Sequence, residues 1–299
     1  MSNDPLSSTT GLTYANQAVL EFYKELPFNY GSSIDMDVSR IVRQNPLAAY
    51  PMLAPLLDES TRVLEVGCGV GWLSNAIAYH HGSHVTAIDF NPRVIERARD
   101  VAQALGTDVE FRVEDVFLYD PQTQFDLVVS VGVLHHTDNC LAGVERVFET
   151  FTRPGGRAFL GLYHHYGRRP FLDHFEAMKQ RGADEEEMLA EYRVLHPQLK
   201  DDVLALSWFR DQVLHPKETQ HTLEELLPLL ESSGMTLEAT SVNRFAPIDS
   251  LEALVEQEKG LAAYAQQILE QRRYFPGFFI VLCQKARPPA ASPAGTAPT

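Results

Sequence analysis

From residue 61 onward, short apolar runs alternate with segments whose apolar positions recur every three or four residues. The runs at 61–66, 84–89, 109–113, 125–131 and 157–163 are rich in β-branched residues and nearly continuous in hydrophobicity. That pattern belongs to strands buried on both faces of a parallel sheet, since a half-exposed strand would alternate. Between them, 72–82, 92–105 and 140–151 have helical spacing, and Pro92 opens the second of these. A turn at Pro154-Gly155-Gly156 precedes the fifth strand. Further on, 222–234 is a helix with a Thr222 cap and a Gly234 stop, and strands follow at 236–242 and 278–284. The pattern predicts an α/β fold: a doubly wound, mostly parallel, Rossmann-like sheet with right-handed crossovers.

Two stretches break this rhythm, 165–221 and 246–275, both charged and helical in composition. They leave the core around its last strands, so they are expected to be helical insertions forming one lid over the carboxyl ends of the sheet. The acidic run 184–187 reads as an exposed helix face. The remaining boundaries are a flexible N-terminus (1–15), a helical lead-in (16–60), a core (61–286) and a disordered tail (287–299). The tail is Pro/Ala/Thr-rich with almost nothing to bury.

The chain has 299 residues, 44% of them hydrophobic, which suffices for a sizeable core. With 25 Lys+Arg against 40 Asp+Glu, the net charge of −15 disfavours nucleic acid or an anionic membrane as partner. No apolar run is long enough to span a bilayer, and MSNDPLSSTTGLTY lacks the basic and apolar regions of a secretory signal. Three cysteines without CxxC spacing fit a reducing, cytoplasmic setting and no structural zinc.

The segment with the most chemistry is VLEVGCGVGW, residues 63–72. Gly67, Gly69 and Gly71 follow a strand and open a helix, where backbone can approach a ligand closely. Asp89 ends the next strand about twenty residues on, a spacing suited to binding both hydroxyls of a ribose. Trp72 stands where a dinucleotide site needs a third close-packing glycine. Glu65 would repel a pyrophosphate and suits a cationic ligand instead. S-adenosylmethionine, with a sulfonium, an ammonium and no phosphate, fits these residues better than NAD.

With these features the chain resembles the class I S-adenosylmethionine-dependent methyltransferases. VLEVGCGVGW resembles their first motif, AIDFNP (87–92) the ribose motif and VEDVF (113–117) the adenine motif. FDLVVSVGVLHH (125–136) and RPGGRAFLGLY (153–163) are similar to the motifs of the fourth and fifth strands. The resemblance covers 61–164 well and 222–285 loosely. It implies a donor site of Glu65, Gly67, Cys68, Gly69, Gly71, Trp72, Asp89, Phe90, Asp115, Val116 and Val131, with Asp115 facing the exocyclic amine. The VLHH run is most similar to the small-molecule branch typified by ubiquinone and menaquinone methyltransferases, from which the helical insertions depart.

The expected function is methylation of a small metabolite on N, O or S by direct displacement. A ligand of such a sheet lies at the carboxyl ends of its strands. That placement makes His135 the first candidate for a general base, followed by His136 and His164. Tyr163, Tyr166, Arg210, His215 and His221 are the candidate acceptor contacts, Arg210 for an acceptor carboxylate. Tyr23, Phe28 and Tyr30 are expected to close over the ligands from the N-terminal side. His215, Glu218 and His221 have a metal-like spacing, but Pro216 interrupts a helix there and no cysteine joins them, so no metal is expected. Two rivals remain: a non-catalytic scaffold that binds the same donor, and an enzyme transferring a different group from a carboxylated donor. The latter would need an additional arginine. The acceptor atom and the oligomeric state are not readable from the residues.

Overall fold

The computed structural model describes residues 17–30 and 33–287. The expected flexible segment 1–15, and the tail 287–299 beyond Arg287, lie outside the described residues. Seven strands form one sheet: β1 (Arg62–Val66), β2 (His84–Asp89), β3 (Val109–Val113), β4 (Phe125–Val131), β5 (Thr152–Tyr163), β6 (Met235–Thr240) and β7 (Phe278–Lys285). Their order is β3-β2-β1-β4-β5-β7-β6. The first five strands are parallel, and β7 runs antiparallel to both β5 and β6. Strand order reverses between β1 and β4, the place where a doubly wound sheet opens a crevice at its carboxyl edge.

The apolar runs bury both faces by simple alternation. Leu64, Val66, Ile88 and Val128 enter one core, with α5 (Cys140–Arg146) and α9 (Leu223–Ser232). Val63, Val85, Ala87, Leu127 and Val129 enter the other, with α3 (Trp72–His81) and α4 (Pro92–Leu105). The expected helix 140–151 divides into α5 and a π-helical turn, Val147–Phe151. Strand β5 begins earlier than expected because Thr152 pairs with Phe125 before the Gly155-Gly156 bend. Strand β6 stops at Thr240, whose hydroxyl accepts from the Val242 amide and starts a 3-10 turn.

The lead-in is helical only in short pieces: α1 (Gln17–Glu25), α2 (Ile34–Ser39), a π-helical turn (Arg40–Gln44) and two 3-10 turns. Prolines at 46, 51 and 55 prevent a longer helix. The first insertion contains α6 (His165–Gln180), α7 (Glu185–Leu195), α8 (Asp202–Phe209) and a π-helical turn (Arg210–Leu214). The second contains α10 (Leu251–Lys259) and α11 (Leu261–Glu270), and α11 packs on α6. The insertions share a small core of their own, in which Phe171, Phe175, Met188, Tyr192, Leu195 and Phe209 meet Leu269 and Tyr274. Arg272 makes a two-pronged ion pair with Glu191 at 2.6 and 2.7 Å, tying the second insertion to the first. The acidic residues at 185–187 sit on the exposed first turn of α7, capped by Asp184.

Candidate active site

A cavity of about 730 Å3 opens at the carboxyl ends of β1, β2, β4 and β5, within the usual ~300–1,000 Å3 of small-ligand sites. Its floor is the turn after β1. Gly67 has φ 72° and packs so tightly on Val133 that a Cβ would lie 2.4 Å from that side chain. Gly69, at φ 52°, has nothing where a Cβ would stand, so its backbone faces open space. Gly71 answers a different need. It begins α3, and a Cβ there would meet Ala98 at 2.8 Å and Phe111 at 2.9 Å, so it serves helix packing and does not line the cavity.

Around this turn, Glu65, Gly67, Cys68, Gly69, Trp72, Asp89, Phe90, Asp115, Val116 and Val131 all line the cavity. The Asp89 carboxylate accepts from the amides of Gly69 (3.0 Å) and Asn91 (2.9 Å). Burial outweighs these bonds and raises its pKa to about 6. Glu65 accepts from the Ser74 hydroxyl and is raised further by burial, to about 8. Asp115 accepts from the Phe117 amide at 2.8 Å. The lead-in supplies residues that the motifs do not contain: Arg40, Gln44, Asn45 and Tyr50. Arg40 lies 3.9 Å above the Trp72 ring, and the Trp72 indole donates to the buried Asp37 at 2.9 Å.

At the far end stand His136, Tyr163, Asp211, Gln212 and Tyr274, with Tyr23, Phe28, Asn29 and Trp208 closing the side. His136 Nδ1 lies 3.0 Å from the Lys217 carbonyl, which can only accept. The proton is therefore on Nδ1 and the Nε2 lone pair is free. That Nε2 is buried, has no hydrogen-bond partner and lies 3.8 Å from Asp211 Oδ1. Burial lowers the His136 pKa to about 4, so the ring is neutral at pH 7. Asp211 accepts from the Tyr23 hydroxyl and is raised by burial to about 6.

Several sequence candidates lie elsewhere. His135 is fully buried outside the cavity, its Nδ1 accepting from the Tyr163 amide at 3.2 Å and its ring packed against Tyr163. A 3-10 turn at Leu134–His136 aims the two neighbouring rings differently, which a strand-end motif cannot convey. His164 caps α6 and contacts Glu258 at 2.8 Å. His215 stacks behind His136, with ring centres 4.0 Å apart. His221 returns the insertion to the sheet edge, contacting Thr219 and Glu225. Tyr166 is half-buried on α6, and Tyr30 is covered by Arg93 and Arg97. Arg210 pairs with Glu25 at 2.7 Å and so binds α1 rather than the cavity. Glu218 is held by Arg168, so His215, Glu218 and His221 face different partners, and no metal-binding cluster occurs among the described residues.

Asp211, Gln212, Tyr274 and Arg40 were not among the candidates. Asp211 adjoins Arg210, but the π-helical turn fixes which of the two faces inward. Arg40 and Tyr274 lie far in sequence from every motif.

Residues 63–156 match the family model of a methyltransferase domain. A phosphoethanolamine N-methyltransferase of Arabidopsis thaliana is 31% identical over 150 residues, covering 50% of this chain and 30% of that protein. A ubiquinone biosynthesis O-methyltransferase of Xylella fastidiosa is 38% identical over 101 residues, 33% of this chain and 40% of its own length. The chain thus spans less than half the length of these two relatives. Among solved structures, PKMT2 from Rickettsia typhi with AdoHcy has a TM-score of 0.55 at 17% identity, covering 77% of this chain and 50% of that one. The magnesium protoporphyrin IX methyltransferase of Synechocystis PCC 6803 with SAH has a TM-score of 0.51 at 14% identity, covering 91% and 97%. The matched segment is thus similar to a methyltransferase domain, and the whole chain shares the Rossmann-like fold of these structures. The class I S-adenosylmethionine-dependent methyltransferases that the five motifs resemble are built on such a sheet, and the matched segment spans the first, ribose, adenine and fourth-strand motifs. No described helix is long and apolar enough to cross a membrane.

Proposed function

We propose that the chain is an S-adenosylmethionine-dependent methyltransferase acting on a small molecule. The observation that carries this reading is the continuity of one cavity. It runs from the Gly67–Gly69 backbone, Glu65, Asp89 and Asp115 to the free Nε2 of His136 and the Asp211 carboxylate. The first end suits the donor. Asp89 offers a carboxylate to ribose hydroxyls, Asp115 and Val116 suit the adenine, and Glu65 suits a cation. Arg40 is the sole Lys or Arg among the described lining residues, and suits the donor's amino-acid carboxylate. A donor with a second carboxylate finds no second cation there, which disfavours the rival group transfer. The phosphoethanolamine and ubiquinone-biosynthesis relatives are also consistent with a small acceptor.

In this reading, S-adenosylmethionine supplies an activated methyl group. The chain's residues hold the acceptor in line with it, and orientation of this kind can contribute ~7–11 kcal/mol. His136 Nε2 accepts a hydrogen bond from the acceptor's N–H or O–H. Asp211 takes the proton, because a group near pKa 6 is a better base at neutral pH than one near 4. Calorimetric titration with S-adenosylhomocysteine and with NADH tests the donor assignment. Binding of the first alone is expected, and binding of NADH alone would refute it.

A further inference from the structure

The cavity carries a marked charge asymmetry. Among the described residues, five carboxyl side chains line it (Glu65, Asp89, Glu114, Asp115 and Asp211) against one guanidinium, Arg40. Arg40 sits over Trp72, next to the turn after β1, at the donor end. At the other end Asp211 faces no Lys or Arg of the lining, and its nearest ring nitrogen, His136 Nε2, is a lone pair. Outside the lining, the buried Arg168 is near enough to act on the Asp211 charge. It lies 4.0 Å from the Tyr163 ring, outside the cavity, with Nε and Nη2 bonded to Glu218 at 3.1 and 2.8 Å and Nη2 also to the Gln212 carbonyl. Glu218 opposes its charge, while its Nη1 is buried without a hydrogen-bond partner. Around Asp211 the wall is aromatic: Tyr23, Phe28, Tyr163, Trp208 and Tyr274. Aromatic rings beside a carboxylate attract organic cations, and the carboxylate repels acids.

Resting on the donor reading above, we propose that the acceptor is an amine, bound as a cation among Tyr23, Trp208, Tyr163 and Tyr274 with Asp211 as its counter-ion. Arg210, the sequence candidate for an acceptor carboxylate, is engaged with Glu25, and among the described lining residues no Lys or Arg replaces it at that end. The chemistry balances without a further reagent. The ammonium gives one proton to the Asp211 carboxylate, and the freed nitrogen lone pair attacks the sulfonium methyl. A C–N bond forms, the S–CH3 bond breaks, and its electron pair stays on sulfur, leaving S-adenosylhomocysteine and a methylated ammonium.

The test is a charge series on the intact chain, empty and loaded with S-adenosylhomocysteine. Benzylamine, benzyl alcohol and benzoate share a ring and differ in charge. Benzylamine is expected to bind about tenfold or more tightly than the alcohol, and benzoate not at all. Asp211→Asn should remove about tenfold of the amine affinity while leaving S-adenosylhomocysteine affinity within about twofold. Trp208→Leu should weaken the amine selectively as well. Equal binding of amine and alcohol, tighter binding of benzoate, or no binding of the amine would each overturn the proposal, and the wild-type series alone decides it if a variant fails to fold. Failure of S-adenosylhomocysteine to bind, with the amine preference intact, would instead overturn the donor reading.

Discussion

At the residue scale, burial sets the ionisation of a few side chains that line the cavity. Asp89→Ala removes charge-assisted hydrogen bonds worth ~1.5–3 kcal/mol. S-adenosylhomocysteine should then bind at least about tenfold more weakly by calorimetry. Donor binding should also strengthen as pH rises, first through about 6 and then through about 8. Asp89 ionises in the first window and Glu65 in the second, and each must be charged to hold its part of the ligand. Glu65→Gln should flatten the upper limb alone, which pH-dependent titrations would reveal. The cavity residues proposed for the donor were legible because they sit at or just after the ends of strands that the apolar pattern marks. Those proposed for the acceptor were less so. His135 and His136 are indistinguishable by composition, yet a single 3-10 turn buries one outside the cavity and leaves the other's Nε2 inside it.

At the element scale, the strands were readable because their runs are apolar on both faces, and β2, β3 and β4 have the expected bounds. Element ends were not, since they depend on pairing and capping by residues outside the run, as at Thr152 and Thr240. Least readable was α1. It is anchored through Tyr23 to Asp211, Glu25 to Arg210, and Arg93 to the carbonyls of Lys24 and Glu25, while nearby Asn29 holds Trp208. Besides these bonds, α1 buries Val19 and Leu20 and packs Phe22 on His215, a smaller apolar anchor than that of the sheet, so α1 should open more easily than the sheet. Hydrogen exchange is expected to be faster across 18–25 than across β1 or β4, and faster still in Arg210→Ala. Uniform protection across α1 and β4 would contradict this. The Arg210–Glu25 pair is half exposed, so its loss should lower the melting temperature little.

At the scale of the whole molecule, buried ionisable groups set a stability optimum. Burial lowers the pKa of His135, His136, His196, His215 and His221, so their contribution is complete above the unfolded value of about 6.5. It is lost as pH falls below that. Glu65, Asp89 and Asp211 are raised, so their contribution is present below about 4 and lost as pH climbs through 6 to 8. Five histidines outweigh three carboxyls on the acid side, and only Glu65 still titrates above 7. Without ligand, the melting temperature should peak near pH 6.5–7, falling more steeply toward pH 5 than toward pH 8. A monotonic rise from pH 5 to 9 would show that these groups are not buried as described.

The central claim is methyl transfer to a small molecule, and its most direct test uses a donor with a deuterated methyl group. The intact chain is incubated with labelled S-adenosylmethionine and a metabolite extract, and the small molecules are examined by mass spectrometry. The account predicts a small-molecule product that carries one labelled methyl group, contains nitrogen at the methylated position, and is lost with Asp211→Asn. Label found only in protein or nucleic acid, or no labelled product while S-adenosylhomocysteine binds normally, would contradict it.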